Sequence, residues 1–148
     1  MTNQQIAEDL IAEFGNKVSG FEEPYGLLTL TTTRENILPL LEYLNKHEAL
    51  KIKFLTDICG IHLPENTGAE FGVIYHVHGL ETNIRIRIKV FLSQDDVHIP
   101  TATNIYSSAN WMERETYDFY GIIFDGHPNL KRILNIEEMD YFPMRKEY

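Results

Sequence analysis

The sequence predicts an α+β domain: a two-layer sandwich of order α-β-β-α-β-β-β with a mixed, mainly antiparallel sheet, followed by a C-terminal helix and an extended tail. Three observations predict it. Apolar residues recur at helical spacing in two separate stretches of the first 47 residues. Short β-leaning runs bounded by turn residues lie between and after those stretches. Finally, Ile84-Arg85-Ile86-Arg87-Ile88-Lys89-Val90 alternates strictly between aliphatic and basic side chains, the period of a half-buried strand.

The first helix is expected over roughly residues 3–15. Ile6, Leu10, Ile11 and Phe14 share a face, and Gly15 supplies a stop. Val18 to Glu23 and Leu27 to Thr32 read as two strands, and Pro24-Tyr25-Gly26 between them reads as a hairpin turn. A second helix follows Thr33, with Ile37, Leu40, Leu41 and Leu44 on its apolar stripe and an end near His47. A strand is expected over about residues 51–59, a loop from Gly60 to Ala69, another strand from Phe71 to His78, and then the alternating strand. The core domain thus spans residues 1–94, with residues 95–148 as a helix and extended partner-docking segment packed on it.

In that last segment Val97-His98-Ile99-Pro100 is extended, because a residue preceding proline is pushed out of the helical region. Residues 103–106 make a short turn. Ser107 or Ser108 then caps a helix that runs to about Tyr120, and Gly121 stops it. Ala109, Met112, Thr116 and Phe119 form its packing stripe. Trp111, Arg114, Glu115 and Asp118 line another face, where a Trp among charges of both signs suits either a salt-bridged surface or an interface. Gly126-His127-Pro128 is a rigid turn. Residues 135–148 mix charge, aromatics and Pro143 without periodicity. The final third therefore reads as thin in apolar content of its own and dependent on foreign surfaces for its order.

Composition excludes several functions. The 148 residues carry a net charge of −9, which argues against nucleic acid and against unaided docking on anionic lipid. One cysteine, Cys59, rules out an internal disulfide and a self-contained iron–sulfur cluster, which takes four thiolates. No apolar run approaches the ~18 residues of a bilayer span, and Met1 to Phe14 reads as neither a secretory signal nor a transit peptide. A cytoplasmic location is the default expectation. The basic row Arg85, Arg87 and Lys89 reads either as a solvated sheet face or as a surface that meets an acidic partner.

The run from Glu113 to Leu134 closely resembles the signature of the C subunit of respiratory complex I, the NADH:quinone oxidoreductase. That family's pattern is Glu-Arg-Glu, then Asp, Gly and Phe-x-Gly-His-Pro-x-Leu-x-Arg-Ile-Leu. It is matched here at Glu113, Arg114, Glu115, Asp118, Gly121, Phe124, Gly126, His127, Pro128, Leu130, Arg132, Ile133 and Leu134. Ala109-Asn110-Trp111 and Pro143 to Tyr148 also look like family features. Between Leu134 and Pro143 the chain departs from the family: Met139, Tyr141 and Phe142 stand where a Trp is usual.

The resemblance implies a structural subunit of the peripheral arm, on the cytoplasmic side of the bacterial membrane. Its expected neighbours are the D subunit of the complex, which shapes the quinone site, and the iron–sulfur subunits. The resemblance implies no independent activity, no catalytic residue, no metal and no cofactor bound by this chain. Trp111, Arg114, Glu115, Asp118, His127, Arg132 and Arg145 are the expected docking residues. Glu113, Gly121, Phe124, Gly126, Pro128, Leu130, Ile133 and Leu134 are the structural signature. A homologous subunit of a membrane-bound hydrogenase or formate hydrogenlyase is the near alternative. Two others belong to different classes. One is a stand-alone enzyme using Glu115, Asp118 and His127. The other is a metal-binding module built from Cys59, His62, His76 and His78.

Overall fold

The computed structural model describes residues 2–132 and 142–145. Helix α1 spans Asn3–Phe14 and opens on a capping box that apolar spacing alone does not reveal. Gln5 N–H donates to the Thr2 hydroxyl (3.2 Å), and the Gln5 side-chain oxygen accepts from Thr2 N–H (2.9 Å), so two orphan donors are satisfied reciprocally. Strands β1 (Val18–Glu22) and β2 (Leu28–Thr32) form the expected antiparallel hairpin around a 3₁₀ turn at Pro24–Gly26. Helix α2 (Ile37–Lys46) buries Ile37, Leu40, Leu41 and Leu44, the predicted stripe. Tyr43 on that helix donates its hydroxyl hydrogen to Asp9 at 2.8 Å and ties the two helices together.

Strands β3 (Phe54–His62), β4 (Phe71–Gly79) and β5 (Ile84–Leu92) complete a five-stranded sheet of order β1-β2-β5-β4-β3. The β2–β5 pairing is parallel and the other three are antiparallel, giving the mixed, mainly antiparallel sheet that was expected. Alternate residues of β5 and β4 (Ile86, Ile88, Val90; Val73, Tyr75, Val77) are buried in one cluster with Ile6, Leu10, Leu40 and Leu44. The intervening residues, including Arg85, Arg87 and Lys89, lie on the opposite, uncovered face. The strand period therefore decides which side of the sheet receives the helices.

Two expectations need correction. The strand placed at 51–59 starts instead at Phe54 and runs through Gly60 to His62, and the loop begins later. Glycine reads as a breaker, but Gly60 is there because a Cβ at that position would lie 2.6 Å from the Tyr120 ring. The second correction concerns the final third, which contributes to the core over its described part. Ile99, Ala102, Tyr106, Ala109, Ile122 and Phe124 are all buried in the same cluster as the sheet. Strands β6 (His98–Pro100) and β7 (Ile123–Asp125) pair in parallel as a small second sheet, which periodicity over three residues each could not reveal. Arg34 fastens the connection to β6 by bonding the carbonyls of Asp96 and His98 and the Asp96 carboxylate (2.6 Å).

Candidate partner-docking surface on the C-terminal helix

Helix α3 (Ala109–Tyr120) packs across β3, held by bonds that cross between distant parts of the chain. The Tyr106 hydroxyl donates to the Ile52 carbonyl at 2.7 Å, and Ser108 Oγ donates to the Leu55 carbonyl at 3.0 Å. Ser108 thus occupies the N-cap position without capping through its side chain, because the strand edge takes its hydroxyl. At the other end Gly121 adopts a left-handed conformation (φ 76°) and its N–H closes on Tyr117. The position needs glycine twice over, since a Cβ there would also meet Arg145 and the Phe142 ring at 2.7 Å.

The inward side of α3 is more polar than a packing stripe suggests. Its buried residues are Ala109, Glu113, Thr116 and Asp118, whereas Met112 and Phe119 are only half-buried. Glu113 has no exposed surface. Its carboxyl meets the Ala102 N–H at 2.8 Å and the Thr101 hydroxyl at 2.5 Å. Burial pushes the Glu113 carboxyl up to about 7, against the pull of those two hydrogen bonds. Burial also keeps the nearby Tyr75 phenol well above its usual range, and the Glu113 charge adds to this.

The expected docking residues divide into two groups. Asp118 and Arg132 leave that set: they form an internal ion pair at 2.9 Å, with side chains 0% and 4% exposed. Helical spacing put Asp118 among the outer charges because it was read without the Arg that returns to meet it. Arg132 also donates to the Asp118 carbonyl and stacks 4.6 Å from the Phe142 ring. Arg145 donates to the Tyr120 carbonyl at 2.7 Å, beside the C-terminal carbonyls of α3, and lies between the Phe71 and Phe142 rings. His127 is held at both nitrogens: Nδ1 accepts from Asn129 N–H (2.9 Å), so Nε2 carries the proton it gives to the Asn110 carbonyl (3.0 Å).

The second group faces outward. Trp111 is 61% exposed, and Glu115, one turn on, is exposed as well. Arg114 stacks over the indole at 4.7 Å while its guanidinium donates to the Lys131 and Arg132 carbonyls. The Trp is thereby braced by a cation that is itself anchored to the backbone. Beside it, β3 and α3 leave a groove of about 320 Å³ lined by Cys59, Glu115, Phe119 and Met144. Burial raises the Cys59 thiol above its ordinary range, as does the charge of Asp57, so it lies there as a small apolar group. Of the signature residues, Phe124 and Gly121 are buried, while Gly126, Pro128 and Leu130 form the turn after β7. Ile133 and Leu134 lie outside the described residues.

The two alternatives built on residue clusters do not assemble. Glu115 is exposed, while Asp118 is sealed and held by Arg132, so the two do not face one solvent-accessible site as paired carboxylates. Nor do the four metal candidates converge. His62 is buried against Phe71 on the core face (ring centroids 4.4 Å), and Cys59, an odd number of residues away, lies on the other face. Among the described residues no three His, Cys, Asp or Glu side chains gather as a metal would require.

Residues 30–148 match the family model described as respiratory-chain NADH dehydrogenase, 30 kDa subunit. The chain belongs to that family. The C 1 subunit of the NADH-quinone oxidoreductase of Rhizobium etli is 41% identical over 144 residues, covering 97% of this chain and 71% of that protein. Its C 2 counterpart in Rhizobium meliloti is 39% identical over 140 residues, covering 94% and 75%. Among solved structures, a trypsin-resistant fragment of Nqo5 superposes with a TM-score of 0.74 at 29% identity, covering 88% of this chain and all of the fragment. A chain of an archaeal membrane-bound sulfane sulfur reductase shares the fold, with a TM-score of 0.83 at 21% identity over 98% of this chain and 84% of its own. Members of the 30 kDa subunit family are parts of a hetero-oligomeric oxidoreductase, and the resemblance read from Glu113 to Leu134 agrees with the match.

Proposed function

We propose that the chain is a structural subunit of the peripheral arm of a proton-translocating NADH:quinone oxidoreductase, without catalytic residues or a cofactor of its own. It would sit on the cytoplasmic side of the membrane beside the D subunit of the complex and the iron–sulfur subunits, keeping them in register so that electrons from NADH reach quinone. The observation that carries this reading is the braced Trp111: a large aromatic, 61% exposed, stacked on a backbone-anchored arginine one helical turn before Glu115, which lines the groove between α3 and β3. Ordering such a side chain before a partner arrives lowers the entropic cost of docking, and Trp and Arg are the residues that concentrate interface energy.

The docking set is now narrower than the sequence suggested. Trp111 and Glu115 present themselves to a partner, with Arg114 as the brace. Asp118, Arg132 and Arg145 hold the helix and its C-terminus in place, and His127 fastens the turn to the start of α3. Trp111→Ala therefore tests docking more cleanly than Arg114→Ala, which would also release two carbonyls of this chain. The expected result is loss of the assembled complex on native gels while the free chain keeps its melting temperature. Full assembly with undiminished NADH:quinone activity in Trp111→Ala would overturn the reading.

A further inference from the structure

The uncovered face of the five-stranded sheet is organised in a way that solubility alone does not explain. Register places Arg87 opposite His76 and Arg85 opposite His78, so basic and imidazole side chains sit in direct cross-strand pairs with Lys89 continuing the row. Like charges gathered on one sheet face, as Arg85, Arg87 and Lys89 are, cost stability unless something neutralises them. The carboxylates at hand are few in a chain whose net charge is −9. Glu22 meets Lys89 at 3.3 Å, and Asp57 stands 3.8 Å from His76 Nδ1. Arg87 donates through Nε to His76 Nε2 at 3.1 Å and pairs with no carboxylate among the described residues. The Arg85 side chain has no hydrogen bond or ion pair with the described residues.

We propose that this face is a second docking surface, which takes an acidic polypeptide segment of a partner protein along the row Arg85, Arg87, Lys89 with His76 and His78. Arg85 is exposed and Arg87 half-buried, and Arg87 spends its Nε–H on His76, so the Arg85 guanidinium and the remaining Arg87 N–H groups are the donors this face offers to the carboxylates of a partner. The surface is also recessed. A depression of about 350 Å³ lined by Asp57, His76, His78 and Arg85 adjoins one of about 740 Å³ lined by Tyr25, Arg85 and Arg87. Leu27 and Arg85 line both. Helix α3 packs on the other side of the sheet, so this surface faces away from Trp111 and the two adjoin at Asp57 on β3, which lines both the depression here and the groove beside α3; one copy of the chain can bridge two neighbours.

The test places the photo-crosslinking residue p-benzoylphenylalanine at Phe91, an aromatic position two residues beyond Lys89 on the same face, in the full chain within native membranes. The expected product joins this chain to an Asp/Glu-rich stretch of another polypeptide, identified by mass spectrometry. Arg85→Glu with Arg87→Glu should lower the yield about tenfold, and the neutral pair Arg85→Gln with Arg87→Gln should lower it less. Raised ionic strength should weaken the wild-type product. Unchanged melting of the free chain in both double variants separates lost docking from lost folding. A crosslink to lipid, to this chain itself or to a segment without excess acid overturns the proposal, as does the absence of any product. The same crosslinker at Trp111 reports the α3 surface independently, so a product there with none at Phe91 sinks only the sheet-face proposal.

Discussion

Glu113 makes the stability of this chain depend on pH in an unusual direction. In the unfolded chain its carboxyl has the ordinary value near 4.5, whereas burial in the folded state lifts it to about 7. Below pH 4.5 both states are protonated and the group is neutral with respect to folding. Between those values the unfolded chain releases the proton while the folded chain retains it, so the unfolded state binds fewer protons and stability falls as pH rises. Above pH 7 the loss is complete. At 1.36 kcal/mol per pH unit, a rise from 4.5 to about 7 amounts to about 3 kcal/mol.

The geometry accommodates the protonated form. Thr101 Oγ1 donates to the ionised carboxylate; on protonation the Glu113 O–H takes over as donor to Thr101 Oγ1, whose own hydrogen turns to Thr103 Oγ1 at 3.0 Å, while the other carboxyl oxygen accepts from Ala102 N–H. A glutamine repeats that pattern, with its amide N–H in place of the acid O–H and no charge to bury. Urea unfolding of wild type and Glu113→Gln at pH 5 and pH 8 measures the difference. The variant should gain relative stability at pH 8 by on the order of 2–3 kcal/mol compared with pH 5. Equal pH slopes in the two proteins, or a variant that is relatively weaker at pH 8, would refute the reasoning.

Two further substitutions probe what holds α3 in place. Arg132→Met removes the guanidinium that pairs with the sealed Asp118 carboxylate and should cost on the order of 3–5 kcal/mol in chemical denaturation, far more than an exposed ion pair. Gly60→Ala pushes a methyl group into the Tyr120 ring and should cost about 1–3 kcal/mol, read as a lower melting temperature and loosened near-UV signal.

Much of the fold is legible in local pattern. The stripe of α2, the Pro-Tyr-Gly hairpin, the alternating β5 and the stop at Gly121 each depend on residues within one or two turns of each other. Gly60 misleads for the opposite reason: its lack of a side chain serves a ring 60 positions later in the chain. The same distance hides the structure of α3. Asp118 reads as an outer charge, and Glu113 as a signature residue with no place assigned, because the partners that permit their burial are supplied by Thr101, Ala102 and Arg132. Trp111 reads as ambiguous until its exposure and its stacking on Arg114 are seen together.

By itself the sequence determined the order of elements through β5, the core-facing side of that strand and the family, since periodicity and contiguous motifs are carried by neighbours along the chain. Tertiary structure alone decided which charges of the signature are interior and which are free for a partner. Burying a carboxylate depends on a compensating group brought from elsewhere in the fold, and helical spacing says nothing about where that group will arrive.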